Sequence, residues 1–201
     1  MSELPPPMSP LPPSQAYQRA DSDPGFLQRD ELRAVRLRLE WFKPELIQQD
    51  EGIESTIVVF GSARLLEPAA AKAKLVIAEQ ELAAAPHDPD KKRAAAIAKN
   101  QAAFSPYYQD AREFGRLVSS SCQINGRRTF VIITGGGPGI MEAANRGAAD
   151  VQAKSIGLNI ALPHEQLPNP YITPSLCFQF RYFAIRKMHF LNRAKALVVF
   201  P

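Results

Sequence analysis

The chain has 201 residues, of which 45% are hydrophobic and 22% are charged, so it is long enough to form one folded domain with an addition. Its net charge of +4 is mild, and acidic residues accompany the basic ones along the chain, which gives no indication of nucleic-acid binding. Two cysteines outside any CxxC and three histidines without ligand spacing argue against a disulfide framework and a metal site, and no apolar run is long enough to span a bilayer.

The beginning of the chain, residues 1–28, is rich in proline and polar residues. It has too little apolar surface to order itself, so it is predicted to be a disordered tail, with an SH3-type ligand as the less favoured interpretation. The segment lacks the basic start and apolar core of a signal peptide, so we expect a cytoplasmic protein without a membrane partner. Residues 29–201 are predicted to form one folded domain.

Residues 30–60 predict a helix followed by a buried strand. The helix is expected over residues 30–49, because apolar side chains recur there at three- and four-residue steps. The run "TIVVF" is typical of a strand of a parallel sheet, which is covered on both faces. Gly61 and Ser62 follow this strand at its carboxyl end, where such sheets bind ligands, so both are candidate substrate-binding residues. The apolar residues of the predicted helix are Leu32, Val35, Leu39 and Phe42.

The stretch 67–121 is rich in alanine and charged residues, and is interrupted by "PHDP" and "SP". Helices are predicted over residues 69–85, 90–103 and 107–119. A single crossover between two strands needs far fewer residues, so we interpret 67–121 as a helical insertion after the first strand, part of it a hairpin beside the core.

From residue 128 onwards, apolar strand patterns alternate with helical ones. The strands are predicted at "TFVIITGGG", "SIGLNIALP", "LCFQFRYF" and "ALVVFP", and the helices at "PGIMEAANRGAADV" and over residues 184–193. This alternation predicts an α/β fold with a doubly wound parallel sheet, right-handed crossovers and helices on both faces.

The strongest local signal is "TGGGPGIMEAANRGA", in which a strand leads into glycines and then into a helix. Glycines allow backbone to approach a ligand closely, and the new helix offers unpaired N–H groups, so Gly135, Gly136, Gly137 and Gly139 are predicted to bind phosphate. The pattern departs from GxGxxG, since Ile140 stands at the third glycine, and no Gly-Lys-Ser/Thr of a P-loop follows. A tight turn without a ligand is the alternative.

Three charged side chains are further candidates. Glu142 lies in the first turn of the helix after the glycines, where it either complements the helix dipole, the favoured interpretation, or contacts a ribose hydroxyl. Arg186 and Lys187 lie near the start of the last predicted helix, where cations oppose the dipole unless an anion is close. A solvated helix face explains this pair equally well.

Taken in order, "TIVVFGSAR", "ITGGGPGIMEAANRGA", "IGLNIALPHEQLPNPY", "FRYFAIRKMHF" and "AKALVVFP" resemble the long bacterial branch of the Lonely Guy (LOG) family, formerly labelled possible lysine decarboxylases. The resemblance covers roughly residues 30–201. It implies a Rossmann-like, nucleotide-binding phosphoribohydrolase that cleaves the N-glycosidic bond of nucleoside 5′-monophosphates, such as AMP or cytokinin nucleotides, into free base and ribose 5-phosphate. No cofactor is implied, and no lysine in a pyridoxal-binding context supports a decarboxylase.

Two hallmark elements of the family can be placed on this sequence. Arg186 and Lys187 match its Arg-Lys pair, which implies a catalytic Arg186 and a substrate-binding Lys187. The second element, Pro-Gly-Gly-x-Gly-Thr-x-x-Glu, begins at Pro201, so its catalytic glutamate and the last part of the fold are expected beyond this residue. We therefore expect the 201-residue chain by itself to be inactive.

Other functions and the partners stay open at this point. A non-catalytic nucleotide- or cofactor-binding protein is the main alternative, and a regulatory module that recruits partners through the insertion is a third. The resemblance implies a homodimer or larger homo-oligomer. The alternating aromatic residues of the fourth strand fit either an interface or the core; they are Phe178, Phe180, Tyr182 and Phe183.

Overall fold

The computed structural model describes residues 14–161 and 167–201, and it divides the chain into two units, of which the first ends at Leu39 and the second runs from Glu40 to Pro201. The predicted disordered tail thus lies outside the described residues up to residue 13. Residues 14–28 form two short 3₁₀ turns and helix α1, Pro24–Leu27, whose first turn is capped by the carboxylate of Asp23 through the N–H of Phe26 (3.0 Å).

Helix α2, Arg33–Asp50, begins in the first unit and ends in the second. In its second half, Glu40 accepts hydrogen bonds from the backbone N–H groups of Arg181 (2.5 Å) and Tyr182 (2.9 Å). Glu45 forms an ion pair with Arg193. These contacts fasten the end of α2 to the segment around the last helix of the chain.

The second unit is built on five parallel strands, which confirms the predicted α/β fold. The strand order is β4-β3-β2-β1-β5, so the chain adds strands in one direction up to β4 and then crosses to the other side of β1. The resulting switch point lies between β1 and β5, where the carboxyl ends of strands leave a crevice. The strands are β1 Thr56–Phe60, β2 Val131–Thr134, β3 Ser155–Ile160, β4 Cys177–Phe180 and β5 Ala194–Val199.

Helices cover both faces of this sheet, as predicted. The three helices of the insertion are α3 Pro68–Ala84, α4 Pro89–Phe104 and α5 Pro106–Cys122, and they are followed by α6 Ile140–Asp150 and α7 Phe183–Asn192. Helices α5 and α6 pack on one face, through Ala111 and Ala144 against Ile132. Helix α7 packs on the other face, where Phe190 contacts the apolar cluster around Ile133.

The insertion consists of a helical hairpin, α3 and α4, and of helix α5, which packs on the sheet. Helices α3 and α4 share a small core of Ala78, Ala95 and Ala98. Helix α5 instead lies directly against α6, because Gly115 and Gly147 let the two backbones meet. A Cβ atom at Gly147 would overlap a carbonyl of α5 and lie 2.7 Å from another backbone atom of that helix.

Strand β5 forms an edge of the sheet beside an apolar depression of about 560 Å³. Leu197, which lines this depression, is 58% exposed, and Val199 of the same strand is 68% exposed. At the opposite edge, Phe178 and Phe180 of β4 are buried in the core, so the core interpretation is right for these two aromatic residues. Within the described parts of the chain, no helix combines the length and apolar character needed to cross a membrane.

Candidate functional site

The glycine loop that follows β2 is fixed from beneath by three buried polar side chains. Thr134 donates to Asn145 (2.7 Å) and accepts from the N–H of Gly136 (3.0 Å). Asn169 donates to Asn145 (3.0 Å) and to the carbonyls of Gly136 (3.2 Å) and Gly137 (3.1 Å). Because every member is buried and hydrogen-bonded, the loop is held in one conformation before any ligand arrives.

Two of the predicted glycines adopt backbone conformations that other residues rarely reach. Gly136 has φ +78° and Gly139 has φ +72°. A Cβ atom at Gly136 would overlap the side-chain amide of Asn159, and one at Gly139 would overlap the carbonyl of Ser62. The turn therefore requires glycine at both positions, independently of any ligand.

The first turn of α6 presents unpaired donors beside this loop. The N–H of Ile140 is used by the carbonyl of Ser62 (3.1 Å). The N–H groups of Met141 and Glu142 have no hydrogen-bond partner among the described residues. Together with the positive end of the helix dipole, they are donors of the kind that the predicted anion seat requires.

The residues after β1 lie against the same helix start. Gly61 leaves room for Ile140, since a Cβ atom at position 61 would come within 2.7 Å of that side chain. The N–H of Ser62 donates to the carbonyl of Pro201 (3.3 Å), and its hydroxyl accepts from the N–H of Arg64 (3.2 Å). The structure thus gives Gly61 a packing role, and it places Ser62 where the loops after β1, β2 and β5 converge.

Arg186 reaches the glycine loop from the opposite face of the sheet. Its Nε donates to the carbonyl of Leu158 (2.7 Å), and a Cβ atom at Gly135 would lie 2.9 Å from its Nη2. Burial lowers the pKa of Arg186, and no carboxylate among the described residues pairs with it. A half-buried guanidinium that has no counter-ion among these residues, at the carboxyl end of the strands, is suited to receive an anionic ligand.

Lys187 points elsewhere. It is exposed, its Nζ lies 4.7 Å from the ring centre of Phe183, and it lines the apolar depression along β5. None of its contacts within the described residues joins it to the glycine loop. The structure therefore brings Arg186 to the site, but it does not bring the neighbouring lysine with it.

Glu142 is held by a side chain from the insertion. The hydroxyl of Tyr108 donates to Glu142 Oε1 (2.7 Å). Hydrogen bonds to Tyr108 and then to Glu67 raise the pKa of Arg146, one turn further along α6. Arg146 also lies over the ring of Tyr171, 5.3 Å from its centre. Glu142 therefore borders the glycine loop with one oxygen already bonded.

Tyr108, Asn145 and Asn169 are not predicted as functional residues from the sequence. The sequence did hold a signal for the two asparagines. Asn145 is a polar residue inside the apolar helix pattern "EAANRGA", and Asn169 lies between two prolines in "LPNPY". A buried polar side chain at such a position needs hydrogen-bond partners. Tyr108 carried no such signal. No three His, Cys, Asp or Glu side chains of residues 14–161 and 167–201 are grouped so that they could hold a metal ion.

Comparison with known proteins agrees with these motifs over the last third of the chain. Residues 141–201 match the family model described as "Possible lysine decarboxylase". No curated protein matches the sequence. The X-ray structure of TM1055 is similar, with a TM-score of 0.42 and 18% identity over 72% of this chain and 59% of that one, and a likeness of this size carries no argument about function. The family match spans Glu142 and Arg186, and it confirms the resemblance to the LOG family, the group formerly described as possible lysine decarboxylases.

Proposed function

We propose that the protein binds a nucleoside 5′-monophosphate at the carboxyl ends of β1 and β2, and hydrolyses its N-glycosidic bond to free base and ribose 5-phosphate. The glycine loop and the first turn of α6 take the 5′-phosphate through backbone N–H groups. Gly135, Gly136, Gly137 and Gly139 shape this seat, and Gly61 and Ser62 form its neighbouring wall.

The observation that carries the proposal is the unbalanced charge of Arg186. Its guanidinium is half-buried, it lies beside Gly135, and burial lowers its pKa without an acidic partner among the described residues to offset that cost. A phosphate or a developing negative charge on the departing base would supply the missing counter-charge. Two donors of Arg186 are used by the carbonyls of Leu158 in β3 (2.7 Å) and Gly135 in the glycine loop (3.4 Å), so the remaining ones are available to a ligand.

The chemistry requires charge stabilisation more than covalent help. As the bond between C1′ and the base nitrogen breaks, positive charge develops on the ribose, water adds its oxygen to C1′, and the base leaves with a proton. Arg186 stabilises the leaving base or the phosphate, while a carboxylate stabilises the ribose or activates the water. The family resemblance implies that this carboxylate belongs to the motif Pro-Gly-Gly-x-Gly-Thr-x-x-Glu, whose first residue matches Pro201, and the carbonyl of Pro201 contacts the loop after β1. We therefore propose the hydrolysis for a protein in which this motif is complete.

Release of free adenine from AMP, measured by chromatography with a protein in which this motif is complete, tests the proposal. We expect Arg186→Ala to lower kcat/KM by about a hundredfold or more, as the loss of a transition-state donor typically does. Lys187→Ala is the matched control, because it removes the adjacent cation, which lies away from the loop, and it should change kcat/KM by less than about threefold. Tight AMP binding without adenine release would favour a non-catalytic nucleotide carrier, and equal turnover by Arg186→Ala would refute the proposed role.

A further inference from the structure

The helical insertion reaches the candidate site at two points. In α4, Gln101 Nε2 donates to the carbonyl of Arg64 in the loop after β1 (2.9 Å). In α5, the hydroxyl of Tyr108 donates to Glu142, in the first turn after the glycine loop (2.7 Å). The loop after β1 and the first turn of α6 are thus both held by side chains from residues 67–121.

Tyr108 is fixed firmly enough to orient its partner. It is 2% exposed, and it lies in the apolar cluster with Leu65 and Ile140. Burial, followed by the hydrogen bond to Glu142, raises the pKa of Tyr108 to about 12, so the phenol keeps its proton at neutral pH. Its hydroxyl is therefore a permanent donor, and it occupies Oε1 of the glutamate.

The second carboxylate oxygen of Glu142, Oε2, is the one that can accept a hydrogen bond from a ligand. Oε2 has no hydrogen-bond partner among the described residues. A carboxylate repels phosphate, but it accepts hydrogen bonds well from the hydroxyls of a ribose. In dinucleotide-binding sheets, an acidic side chain about 20 residues beyond the glycine loop accepts a hydrogen bond from a ribose hydroxyl, so a carboxylate is a suitable acceptor for this group, although Glu142 lies closer to the loop.

We propose that Tyr108 is a positioning residue, whose hydroxyl turns Glu142 so that Oε2 accepts a hydrogen bond from a ribose hydroxyl of the bound nucleotide. The insertion thereby sets the preference for ribonucleotides over their deoxy forms. This inference rests on the proposed nucleotide site. It assigns to residues 67–121 a role in specificity and leaves the chemistry of bond cleavage to other groups.

The test is a comparison of AMP, 2′-deoxy-AMP and 3′-deoxy-AMP as ligands, with dissociation constants measured by calorimetry. We expect the wild-type protein to prefer AMP over at least one deoxy form by about tenfold, the value of one charge-assisted hydrogen bond. Tyr108→Phe keeps the ring and removes the hydroxyl, so it should reduce this preference about three- to tenfold. Tyr107→Phe removes a more exposed neighbouring hydroxyl and should leave the preference unchanged.

Two further variants separate positioning from packing. Glu142→Ala should abolish the preference by itself, and Tyr108→Phe added to Glu142→Ala should reduce it no further, since both act through one oxygen. A preference that survives in Glu142→Ala, or in Tyr108→Phe, overturns this inference while the proposed nucleotide site stands. Equal binding of the three ligands by the wild-type protein also overturns it, and the absence of any nucleotide binding overturns the proposed site and this inference together.

Discussion

Two glycines with positive φ, Gly136 in the site and Gly126 in the turn between α5 and β2, differ in the room around them. Gly136 combines a left-handed backbone, φ +78°, with a lack of room, because its Cα faces the side chain of Asn159. Gly126 has nearly the same backbone, φ +80°, but no atom lies within 4 Å of the Cβ it would carry. Alanine substitutions at these two positions therefore distinguish the free-energy cost of a left-handed backbone from the cost of a steric overlap.

We predict that Gly136→Ala destabilises the fold by at least about 1 kcal/mol more than Gly126→Ala does. Both variants place alanine in the left-handed region, which costs about 1–2 kcal/mol, but only the first also displaces the amide of Asn159. Urea unfolding of the two variants and the wild type measures the difference. Equal losses would mean that Asn159 moves aside freely.

For single residues, the sequence identifies candidate site positions better than it identifies what each of them contacts. It pointed to the glycines of the loop because their spacing before a helix is a local property. It could not predict that Gly61 serves packing against Ile140, nor that Thr134, Asn145 and Asn169 hold the loop, because these contacts join positions far apart in the chain. The same reason hid Tyr108, which meets Glu142 only in the folded protein.

Among the elements, helix α2 was predicted from the spacing of its apolar residues, but that spacing does not identify the face of the helix that is buried. Its apolar period predicted the helix, which the structure places at Arg33–Asp50, yet Leu39 and Phe42 are 56% and 53% exposed. The second half of α2 is instead held by Glu40 and Glu45, and by the ring of Trp41 against His189. Periodicity identifies a helix, whereas the face that it buries depends on which partners the fold provides.

The contact between α5 and α6 depends on two glycines that intrinsic helix propensity disfavours. We predict that Gly147→Ala destabilises the protein by about 2 kcal/mol or more through overpacking, although alanine is the better helix former by about 1 kcal/mol. A Cβ atom there would lie against the backbone of α5, which cannot yield as a side chain does. Thermal unfolding measures the loss.

Gly25→Ala is the matched control for this prediction. Gly25 is also in a helix, α1, but the nearest atom to its added Cβ is a carboxylate oxygen of Asp23 at 3.3 Å. We expect the melting temperature of Gly25→Ala to stay within about 2 °C of that of the wild type. If Gly147→Ala behaved in the same way, the close approach of α5 and α6 would not contribute to stability.

For the whole molecule, the doubly wound fold was predictable because each strand carries a continuous or alternating apolar pattern and a turn at its end. The three helices of the insertion were predicted to within a few residues for the same reason. The strand order, with β5 beside β1, did not follow from the sequence, because it depends on the direction of each crossover. The convergence of the loops after β1, β2 and β5 therefore became visible only in the structure.

The pH dependence of folding should report on the packing of α2 against α7. His189 is 2% exposed between the rings of Trp41 and Phe180, and burial lowers its pKa, against a smaller opposing contribution from the backbone of Trp41. The folded protein thus binds this proton less readily than the unfolded chain. Stability is complete above the ordinary histidine pKa, and it falls as the pH drops below about 6.5.

Chemical unfolding at pH 7.5, 6.5 and 5.5 measures this effect. We predict that the free energy of unfolding falls by up to about 1.4 kcal/mol per pH unit below pH 6.5 in the wild type. The loss should disappear in His189→Phe, which keeps an aromatic ring beside Trp41, and it should persist in His87→Gln, which changes an exposed histidine. A wild type whose stability is flat from pH 7.5 to 5.5 would contradict the prediction.

The close approach of α5 and α6 also has a mechanical consequence. Since Gly115 and Gly147 leave no gap between the two backbones, these helices cannot slide past each other without a collision, and they move as one body. The hairpin of α3 and α4 has its own alanine core and is joined to α5 in the chain at Ser105. The hairpin also contacts the loop after β1, where Gln101 donates to the carbonyl of Arg64 (2.9 Å), so a displacement of the hairpin would reach the site through this contact as well as through α5 and α6.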